Sequence, residues 1–436
     1  MAGTQEPDVV STKIQRIATQ ARTHPDRAFV SLAHHIDLDW LHAAYRRTRK
    51  SGAVGVDGES AAAFSATLHD RLCGLLEEAK SGRYQAPPVR RVHIPKGDGR
   101  QTRPIGIPTF ADKVLQRAVA MVLEAVYEQD FHPDSYGFRP GRSAHQMLAA
   151  LHQRLSGMGG GWVIELDIRS YFDTIDHALL RQFVQRRVRD GVITRLIGKW
   201  LNAGVMEDGE WHRSEAGSPQ GGVISPLLAN VYLHEVLDTW FVREVQPRLA
   251  GRSFMLRYAD DAVLVFANEA DARRVLDVLA KRFGRFGLTL HPDKTRLVGF
   301  RPPCGDREGE SFDLLGFTHY WGRSRRGRWT IQRKTAKDRF RRALKRIGDW
   351  CRTHRHWRLC DQHAALTRKL KGHWAYFGLS GNYRALASLR FRVERVWLKW
   401  LGRRSQRGHV PWARAAHLLS VFPLPTPRIV HHCAFP

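Results

Sequence analysis

Residues Phe254-Met-Leu-Arg-Tyr-Ala-Asp-Asp-Ala-Val-Leu-Val-Phe266 place two adjacent carboxylates, Asp260 and Asp261, between two short apolar runs. Runs of this length and composition are typical of β-strands, and the Asp pair between them predicts a hairpin turn. Two neighbouring carboxylates repel each other, and a bound divalent cation removes that penalty. A plain Asp-Asp turn without a metal remains an open alternative at this point.

A second acidic residue follows another apolar run. Asp167 closes the strand-like stretch that begins at Trp162, and Phe172 lies five residues further on. A carboxylate at a strand end and another on a neighbouring hairpin can hold two Mg²⁺ ions about 3.5–4 Å apart, as phosphoryl transfer requires. The sequence has no Gly-x4-Gly-Lys-Ser/Thr loop, which disfavours P-loop ATPase chemistry. The pattern therefore favours a two-metal site.

Strand-like and helix-like segments alternate through most of the chain, which predicts a layered α+β domain. After Trp321 the strand signals fade, and residues 335–400 have helical spacing, with Phe340, Leu344, Ile347 and Trp350 on one face. The tail from Pro411 is rich in Pro and His and is predicted to be irregular. The earlier helical segments are Ala111–Glu128, Asp176–Arg189, Pro226–Thr239 and Ala270–Phe286.

The charge of the chain is high and unevenly distributed. The 436 residues carry 70 Lys and Arg against 42 Asp and Glu, a net charge of +28, while 43% hydrophobic residues suffice for a folded core. Between Arg323 and Arg407 there are 26 basic and 4 acidic residues, so this segment holds most of the net charge. A basic segment that follows a domain with nearly equal numbers of positive and negative charges indicates a dedicated module for binding nucleic acid.

Cysteine use and hydropathy indicate a reduced, cytoplasmic protein without a membrane partner. The five cysteines are scattered and odd in number, and no apolar run is long enough to span a bilayer. The stretch from Cys351 to His363 has residue types found in zinc sites. Because it has the pattern of an amphipathic helix and lacks compact cysteine pairs, we interpret it as helix surface.

Eight short sequence blocks follow one another between His93 and Phe317. The blocks are His93-Ile-Pro-Lys96, Arg103-Pro-Ile-Gly-Ile-Pro108, Tyr136-Gly-Phe-Arg-Pro-Gly-Arg-Ser143, Asp167-Ile-Arg-Ser-Tyr-Phe-Asp173, Gly217-Ser-Pro-Gln-Gly-Gly-Val-Ile-Ser-Pro-Leu-Leu-Ala-Asn230, Tyr258-Ala-Asp-Asp261, Gly287-Leu-Thr-Leu-His-Pro-Asp-Lys294 and Leu314-Leu-Gly-Phe317. In this order they resemble the blocks of group II intron reverse transcriptases. Each block is a modest signal alone, whereas eight in one order leave little room for coincidence.

The resemblance implies a right-hand polymerase of the α+β class, with fingers and palm on an antiparallel sheet and an α-helical thumb. The implied domains are an N-terminal helical extension at 1–85, fingers and palm at 86–321, and a thumb or maturase domain at 322–408. Residues 409–436 form a short tail, and the endonuclease of longer family members is expected to be absent. Two blocks resemble the maturase thumb: Leu370-Lys-Gly-His-Trp-Ala-Tyr-Phe377 and Phe391-Arg-Val-Glu-Arg-Val-Trp-Leu-Lys-Trp400.

The resemblance also implies roles for particular residues. Two Mg²⁺ ions, with Mn²⁺ as a substitute, would be held by Asp167, Asp260, Asp261 and the backbone carbonyl of Ile168. Lys96 and Arg103 would grip the incoming triphosphate, or else be solvated surface charge. Phe172 would block a ribose 2′-OH, or else be packed core. Gln220 would lie beneath the nucleotide. The residues expected to contact template or intron RNA are Arg139, Arg142, Lys294, Arg341, Arg342 and Lys345.

The implied function is RNA-directed DNA polymerisation, coupled to binding of intron RNA for splicing and retrohoming. The implied partners are intron RNA, template RNA, a DNA primer or target, and dNTPs. Two alternatives remain open: a reverse transcriptase recruited to host defence or CRISPR-type adaptation, and an RNA-binding splicing cofactor without polymerase activity. The three intact carboxylates argue against the second alternative.

Overall fold

A computed structural model gives the structure of the protein and describes residues 9–96, 101–207, 210–212, 217, 221–304, 309–324, 326–405 and 410–432. The chain forms two compact units. Unit 1 is Met1–Met147 with Ile164–Leu297, and unit 2 is Leu148–Val163 with Val298–Pro436. No helix in the described ranges is long and apolar enough to cross a membrane.

Helices make up about half of the described chain. They are α1 (Val9–Thr23), α2 (Leu38–Arg47), α3 (Ala61–Ala66), α4 (Leu68–Ser81), α5 (Phe110–Tyr127), α6 (Ala144–Met158), α7 (Tyr171–Thr174), α8 (His177–Arg187), α9 (Gly191–Leu201), α10 (Ser225–Leu233), α11 (Glu269–Gly284), α12 (Lys337–Thr353), α13 (Leu359–Phe377), α14 (Tyr383–Leu401) and α15 (Trp412–Val421). Two π-helical turns, His234–Asp238 and Phe241–Val245, follow α10.

The strands are β1 (Val89–Lys96), β2 (Gln101–Ile107), β3 (Gly161–Leu166), β4 (Val205–Glu207), β5 (Glu210–His212), β6 (Ser253–Tyr258), β7 (Asp261–Phe266), β8 (Arg296–Phe300), β9 (Phe312–Leu314), β10 (Phe317–Arg323) and β11 (Trp329–Thr335). They form three sheets with the orders β2-β1-β4-β5, β6-β7-β3-β8 and β11-β10-β9. Helices and sheets together confirm the predicted α+β class.

Unit 1 is organised around α5, which is buried on most of its surface. Its apolar residues recur on every side of the helix rather than along one stripe, as expected of a helix surrounded by protein. The indole Nε1 of Trp40 on α2 donates to the backbone carbonyl of Ala118 on α5 at 2.9 Å. The strands β6 and β7 are also buried over most of their length, so the carboxylate hairpin stands on a rigid base.

The described part of unit 2 contains a three-stranded sheet, the helices α12 to α15 and most of α6. The sequence block Leu314–Phe317 forms the tight hairpin between β9 and β10, and both central residues, Leu315 and Gly316, have positive φ. Such a two-residue turn matches the right-handed twist of its strands. β11 pairs with β10 along seven residues. The expectation that the strands end near Trp321 was therefore wrong, because the strand β11 follows it.

The core of the helices in unit 2 is apolar and includes residues as far along the chain as Leu424. Ile347 of α12 is buried, and Phe340, Leu344 and Trp350 pack against the same cluster, so the predicted helix face is confirmed. Cys351 is buried in that cluster, and burial raises the pKa of its thiol to about 12, so it is a packing residue. The tail is not irregular throughout, because it contains α15 and the buried Leu424.

Candidate active site

The predicted carboxylate hairpin is present. β6 and β7 pair in a register that sets Tyr258 opposite Asp261, so Ala259 and Asp260 form the turn. Ala259 has a φ of +57°, a left-handed conformation that is costly for a residue with a side chain. Asp260 is half-buried at the tip, and Asp261 is exposed at the first position of β7. The expected position of the Asp pair is confirmed.

Asp167 immediately follows β3, the strand next to β7 in the sheet. Its side chain accepts a hydrogen bond from the Lys294 ammonium at 2.9 Å. Its backbone carbonyl accepts one from the amide of His291 at 2.8 Å, and Ile168 forms a bridge with Leu290. The segment ending at Lys294 is therefore bound along the end of β3. Lys294 lies at the carboxylate site.

Burial raises the pKa of Asp260, and the nearby negative charge of Asp167 acts in the same direction. The positive charges of Arg103 and Arg257 oppose this rise. Asp167, Arg103 and Asp260 therefore lie within electrostatic reach of one another. A carboxylate whose ionised form is costly gains more than an ordinary one from a cation nearby.

The residues at the hairpin suit a divalent metal, although the described side chains do not form a closed cage. Among the described residues, no group of three or more His, Cys, Asp or Glu could hold a metal ion. The oxygen donors of Asp167, Asp260 and Asp261 are nevertheless the type that Mg²⁺ prefers, and it commonly uses only one or two carboxylates. The raised pKa of Asp260 supplies an electrostatic reason to bind a cation.

Arg103 and Lys96, the two residues expected to bind the triphosphate, lie on the paired strands β2 and β1. Arg103 lies on β2 opposite Ile94 of β1 and is exposed. Its positive charge acts to lower the pKa of Asp260. Lys96 ends β1, paired with Gln101 on the neighbouring strand. The side chain of Lys96 lies outside the described residues.

Phe172 is half-buried, whereas its neighbour Tyr171 is the packed residue. The Tyr171 hydroxyl donates to the carbonyl of Ala229 at 2.5 Å, and its ring centroid lies 5.4 Å from that of Phe172. The alternative that Phe172 is simple core is therefore not favoured by its surroundings. Its role as a steric block stays a prediction.

Gln220 lies outside the described residues, and the residues directly after it, Gly221 to Val223, are held by contacts with β2 and α5. Gly221 has a φ of +114°, and a side-chain carbon there would lie 2.4 Å from the carbonyl oxygen of Gly106 on β2. The Gln116 side-chain oxygen accepts from the amide of Val223 at 2.8 Å. Gln116 in turn donates to Asp112, whose carboxyl pKa burial raises to about 6. Residues 221–223 are thus fixed against β2 and α5.

The prediction that Arg139 touches the template does not fit its position. Its side chain is only 4% exposed, and its guanidinium donates to the Glu128 carboxylate and to the carbonyls of His132 and Ser135. These contacts occupy the guanidinium within unit 1, so we assign Arg139 a structural role. Arg142 is exposed and lies over the Tyr136 ring at 5.5 Å, so it remains a candidate for template contact.

The predicted RNA-contacting residues of unit 2 lie on α12. Arg341 and Lys345 are exposed, and the Arg342 guanidinium forms an ion pair with the Asp338 carboxylate one turn earlier. The exposed side chains of Arg341 and Lys345 give α12 a positively charged surface that can bind a phosphate backbone.

Three residues beside the hairpin were not predicted: Asn230, Asp238 and Arg257. Arg257 lies within the apolar run of β6 and is fully buried. A charged residue in the middle of an apolar strand is almost never buried without a partner, so its position in the sequence was an available signal. The identity of its partners was not available, since they lie 19 and 27 residues away.

The family model described as reverse transcriptase (RNA-dependent DNA polymerase) matches residues 94–319, slightly more than half of the 436 residues. This range contains β2, α5 and the whole carboxylate hairpin. The class that the α+β fold and the carboxylate site define is therefore that of the reverse transcriptases.

Relatives narrow the class further. Protein YkfC of Escherichia coli K12 is 36% identical over 365 residues, which cover 74% of this chain and 91% of that protein. The group II intron-encoded protein LtrA of Lactococcus lactis is 36% identical over 227 residues, 51% of this chain and 37% of that protein. Nuclear intron maturase 2 of Arabidopsis thaliana is 30% identical over 259 residues, 48% of this chain and 33% of that protein.

The chain belongs to the group II intron reverse transcriptase and maturase family, as the eight sequence blocks predicted. It spans nearly all of YkfC but little more than a third of LtrA. The relatives named for introns do not favour a recruited role in host defence or adaptation.

Proposed function

We propose that the protein is an RNA-directed DNA polymerase that extends a DNA primer on an RNA template and also binds its intron RNA to assist splicing and retrohoming. The observation that carries this proposal is the carboxylate hairpin beside the acidic end of β3, within the range that matches reverse transcriptases. The right-hand arrangement of fingers, palm and thumb, with domain limits at residues 86, 322 and 409, is part of the proposal.

In this proposal Asp167, Asp260, Asp261 and the carbonyl of Ile168 hold two Mg²⁺ ions, for which Mn²⁺ can substitute. Bound there, the ions would supply an acidified primer hydroxyl and a neutralised triphosphate. Burial and the negative charge of Asp167 both raise the pKa of Asp260, so a bound cation would offset the repulsion between the two carboxylates. Lys294 holds Asp167 in place through its 2.9 Å hydrogen bond.

Other residues of this chain orient the nucleotide. Arg103 can offer a planar fork and Lys96 a point charge to the triphosphate oxygens. Phe172 stands beside the buried Tyr171, where its ring can exclude a 2′-OH from the incoming dNTP. Gln220, which directly precedes Gly221, would lie beneath the nucleotide. Arg142 contacts the template backbone.

The substitution Asp260→Asn tests the proposal directly. It preserves the shape of the turn and removes one metal-ligating charge, so primer extension on an RNA template should fall by at least about a hundredfold. RNA affinity should be unchanged, because the basic surface lies on other residues. Asp277→Asn on α11 is the matched control, since it removes the same charge from an exposed site. Extension within about tenfold of wild type by Asp260→Asn would refute the assignment.

A further inference from the structure

The turn that carries Asp260 is held from inside the protein by one buried arginine. The Arg257 guanidinium donates through Nη1 to the carbonyl of Ala259 at 3.0 Å. Ala259 is the residue with the left-handed backbone, and it directly precedes Asp260. A residue in that conformation persists only where its surroundings fix it. Arg257 supplies such a contact from within the same hairpin.

Two other residues fix Arg257 in turn. Its Nε and Nη2 donate to the two carboxylate oxygens of Asp238 at 2.8 and 2.5 Å. Its Nη1 also donates to the side-chain oxygen of Asn230 at 2.9 Å. Burial alone would raise the pKa of Asp238, and the Arg257 charge more than offsets this, lowering the pKa to about 2. The pair is therefore ionised and bidentate, the geometry that fixes a guanidinium most tightly.

Asn230 and Asp238 come from α10 and the π-helical turn that follows it. A π-helical turn forms i→i+5 bonds and shifts the side chains after it relative to a regular helix; such turns are frequent at functional sites. Here both residues reach the same guanidinium. The side chains of Asp238 and Arg257 are 0% exposed, so no solvent competes for these bonds.

The other side of the turn is closed by the backbone of the Tyr136 block. Asn230 donates to the carbonyl of Gly137 at 2.7 Å, and the amide of Tyr136 donates to the carbonyl of Arg257 at 2.8 Å. A side-chain carbon on Gly137 would lie 2.1 Å from the amide nitrogen of Ala259. Only glycine fits so close to another backbone. The turn is thus held between Arg257 and Gly137, and Asn230 links the two.

We infer that Arg257, fixed by Asp238 and Asn230, is a positioning residue for polymerisation: it sets the conformation of Ala259 and thereby the place of the Asp260 carboxylate. A structural ion pair would support the fold in general. This network instead ends on the carbonyl of the residue before a catalytic carboxylate. The inference rests on the proposed function for its effect on rate, but its effect on the turn does not depend on that function.

Arg257→Lys in the full-length protein tests the inference. Lysine keeps the charge beside Asp238, but its single ammonium cannot replace the planar fork that reaches Asp238, Asn230 and Ala259 together. Hydrogen exchange at the turn amides should quicken by at least about tenfold. In primer extension, kcat should fall about a hundredfold, the loss expected when a catalytic group is displaced by an ångström. The KM for dNTP should change less than about threefold.

Arg187→Lys is the matched control. Arg187 forms a buried ion pair with Asp130 in the same unit, with side chains 10% and 16% exposed, and donates to the carbonyls of Ala21, His24 and Arg27. This substitution should lower the melting temperature, yet leave turn exchange and kcat within about threefold of wild type. If Arg187→Lys changes turn exchange and kcat as much as Arg257→Lys does, the inference is overturned.

Asn230→Ala is a second variant in case Arg257→Lys does not fold. It removes one bond to Arg257 and the link to Gly137, and it should speed turn exchange in the same direction. Wild-type exchange and kcat in a folded Arg257→Lys or Asn230→Ala protein would also overturn the inference. Activity retained by Asp260→Asn would instead refute the proposed function, while faster turn exchange in Arg257→Lys would still support the role of Arg257.

Discussion

At the scale of single residues, neighbouring residues of the same chemical type in this chain have different structural environments. Tyr171 and Phe172 are both aromatic, yet Tyr171 is buried with its hydroxyl bonded to Ala229, and Phe172 is half-exposed. Arg139 and Arg142 are both cationic, yet Arg139 is bound within unit 1 and Arg142 is exposed. Burial and bonding therefore separate structural residues from candidates for substrate contact.

Phe172→Val tests the steric role of this ring. Removing the ring removes the clash with a 2′-OH, so use of rNTPs should rise by at least about tenfold relative to dNTPs. Use of dNTPs should fall only modestly, because the carboxylates and Arg103 are unchanged. Since Phe172 is only half-buried, the melting temperature should fall less than after a core truncation, which costs about 3–5 kcal/mol.

Phe183→Val is the control for Phe172→Val. Phe183 is 3% exposed in the core of unit 1, so its truncation should lower the melting temperature and reduce both nucleotide classes together. The measurement is the ratio of rNTP to dNTP incorporation beside the melting temperature. An unchanged ratio in Phe172→Val, with a melting point as low as that of Phe183→Val, would leave Phe172 as packing.

At the scale of elements, the C-terminal segment, here residues 410–432, is part of unit 2. The amides of Val430 and His431 donate to the carbonyl of Gly378 at 2.7 and 2.9 Å. The His363 ring lies 2.9 Å from the carbonyl of Pro423. Leu424 is 2% exposed within the apolar cluster formed by α12, α13 and α14. The Pro and His content of this segment led to the expectation of an irregular tail, whereas these long-range contacts order its described residues.

Leu424→Ala should therefore destabilise the protein by about 2–5 kcal/mol, as loss of a buried leucine side chain does. Val421→Ala is the matched control, because Val421 is 55% exposed and its truncation should cost less than about 0.5 kcal/mol. Denaturant unfolding followed by tryptophan fluorescence measures both, since Trp374 and Trp397 lie in the same cluster. Equal effects of the two substitutions would mean that the C-terminal segment does not stabilise unit 2.

At the scale of the whole molecule, the charge distribution predicts how the protein binds RNA. Replacing Arg341, Arg342 and Lys345 by Gln should reduce the salt dependence of RNA affinity, because each lost phosphate contact removes about 0.7–0.9 from the logarithmic slope. Substitution is a sharper test than truncation. Removing residues from 323 onward would delete β11, which pairs along the length of β10. RNA affinity measured across a salt series checks the result.

The control for the α12 variant removes three exposed charges of α11, namely Arg273, Arg274 and Lys281. Its overall change in net charge is the same, so a non-specific effect would reduce the slope equally. We expect the α11 variant to keep a slope near that of wild type. Equal reductions in the two variants would show that net charge, and not the α12 surface, governs RNA binding.

The sequence by itself determined the family, the α+β class, the carboxylate hairpin and the helical face of α12. These features are local: strand and helix periodicity, the tendency of Asp to occupy turns, and the order of short blocks can all be read along the chain. Only the tertiary structure decided that the Arg139 side chain is bound within unit 1, that Tyr171 rather than Phe172 is packed, that β11 exists, and that Leu424 packs into the helical core of unit 2. It also decided which residues hold Arg257. Its hydrogen-bond partners Asp238 and Asn230 lie 19 and 27 residues before it in the chain. Contacts at that separation depend on packing in three dimensions and leave no periodic pattern in the sequence.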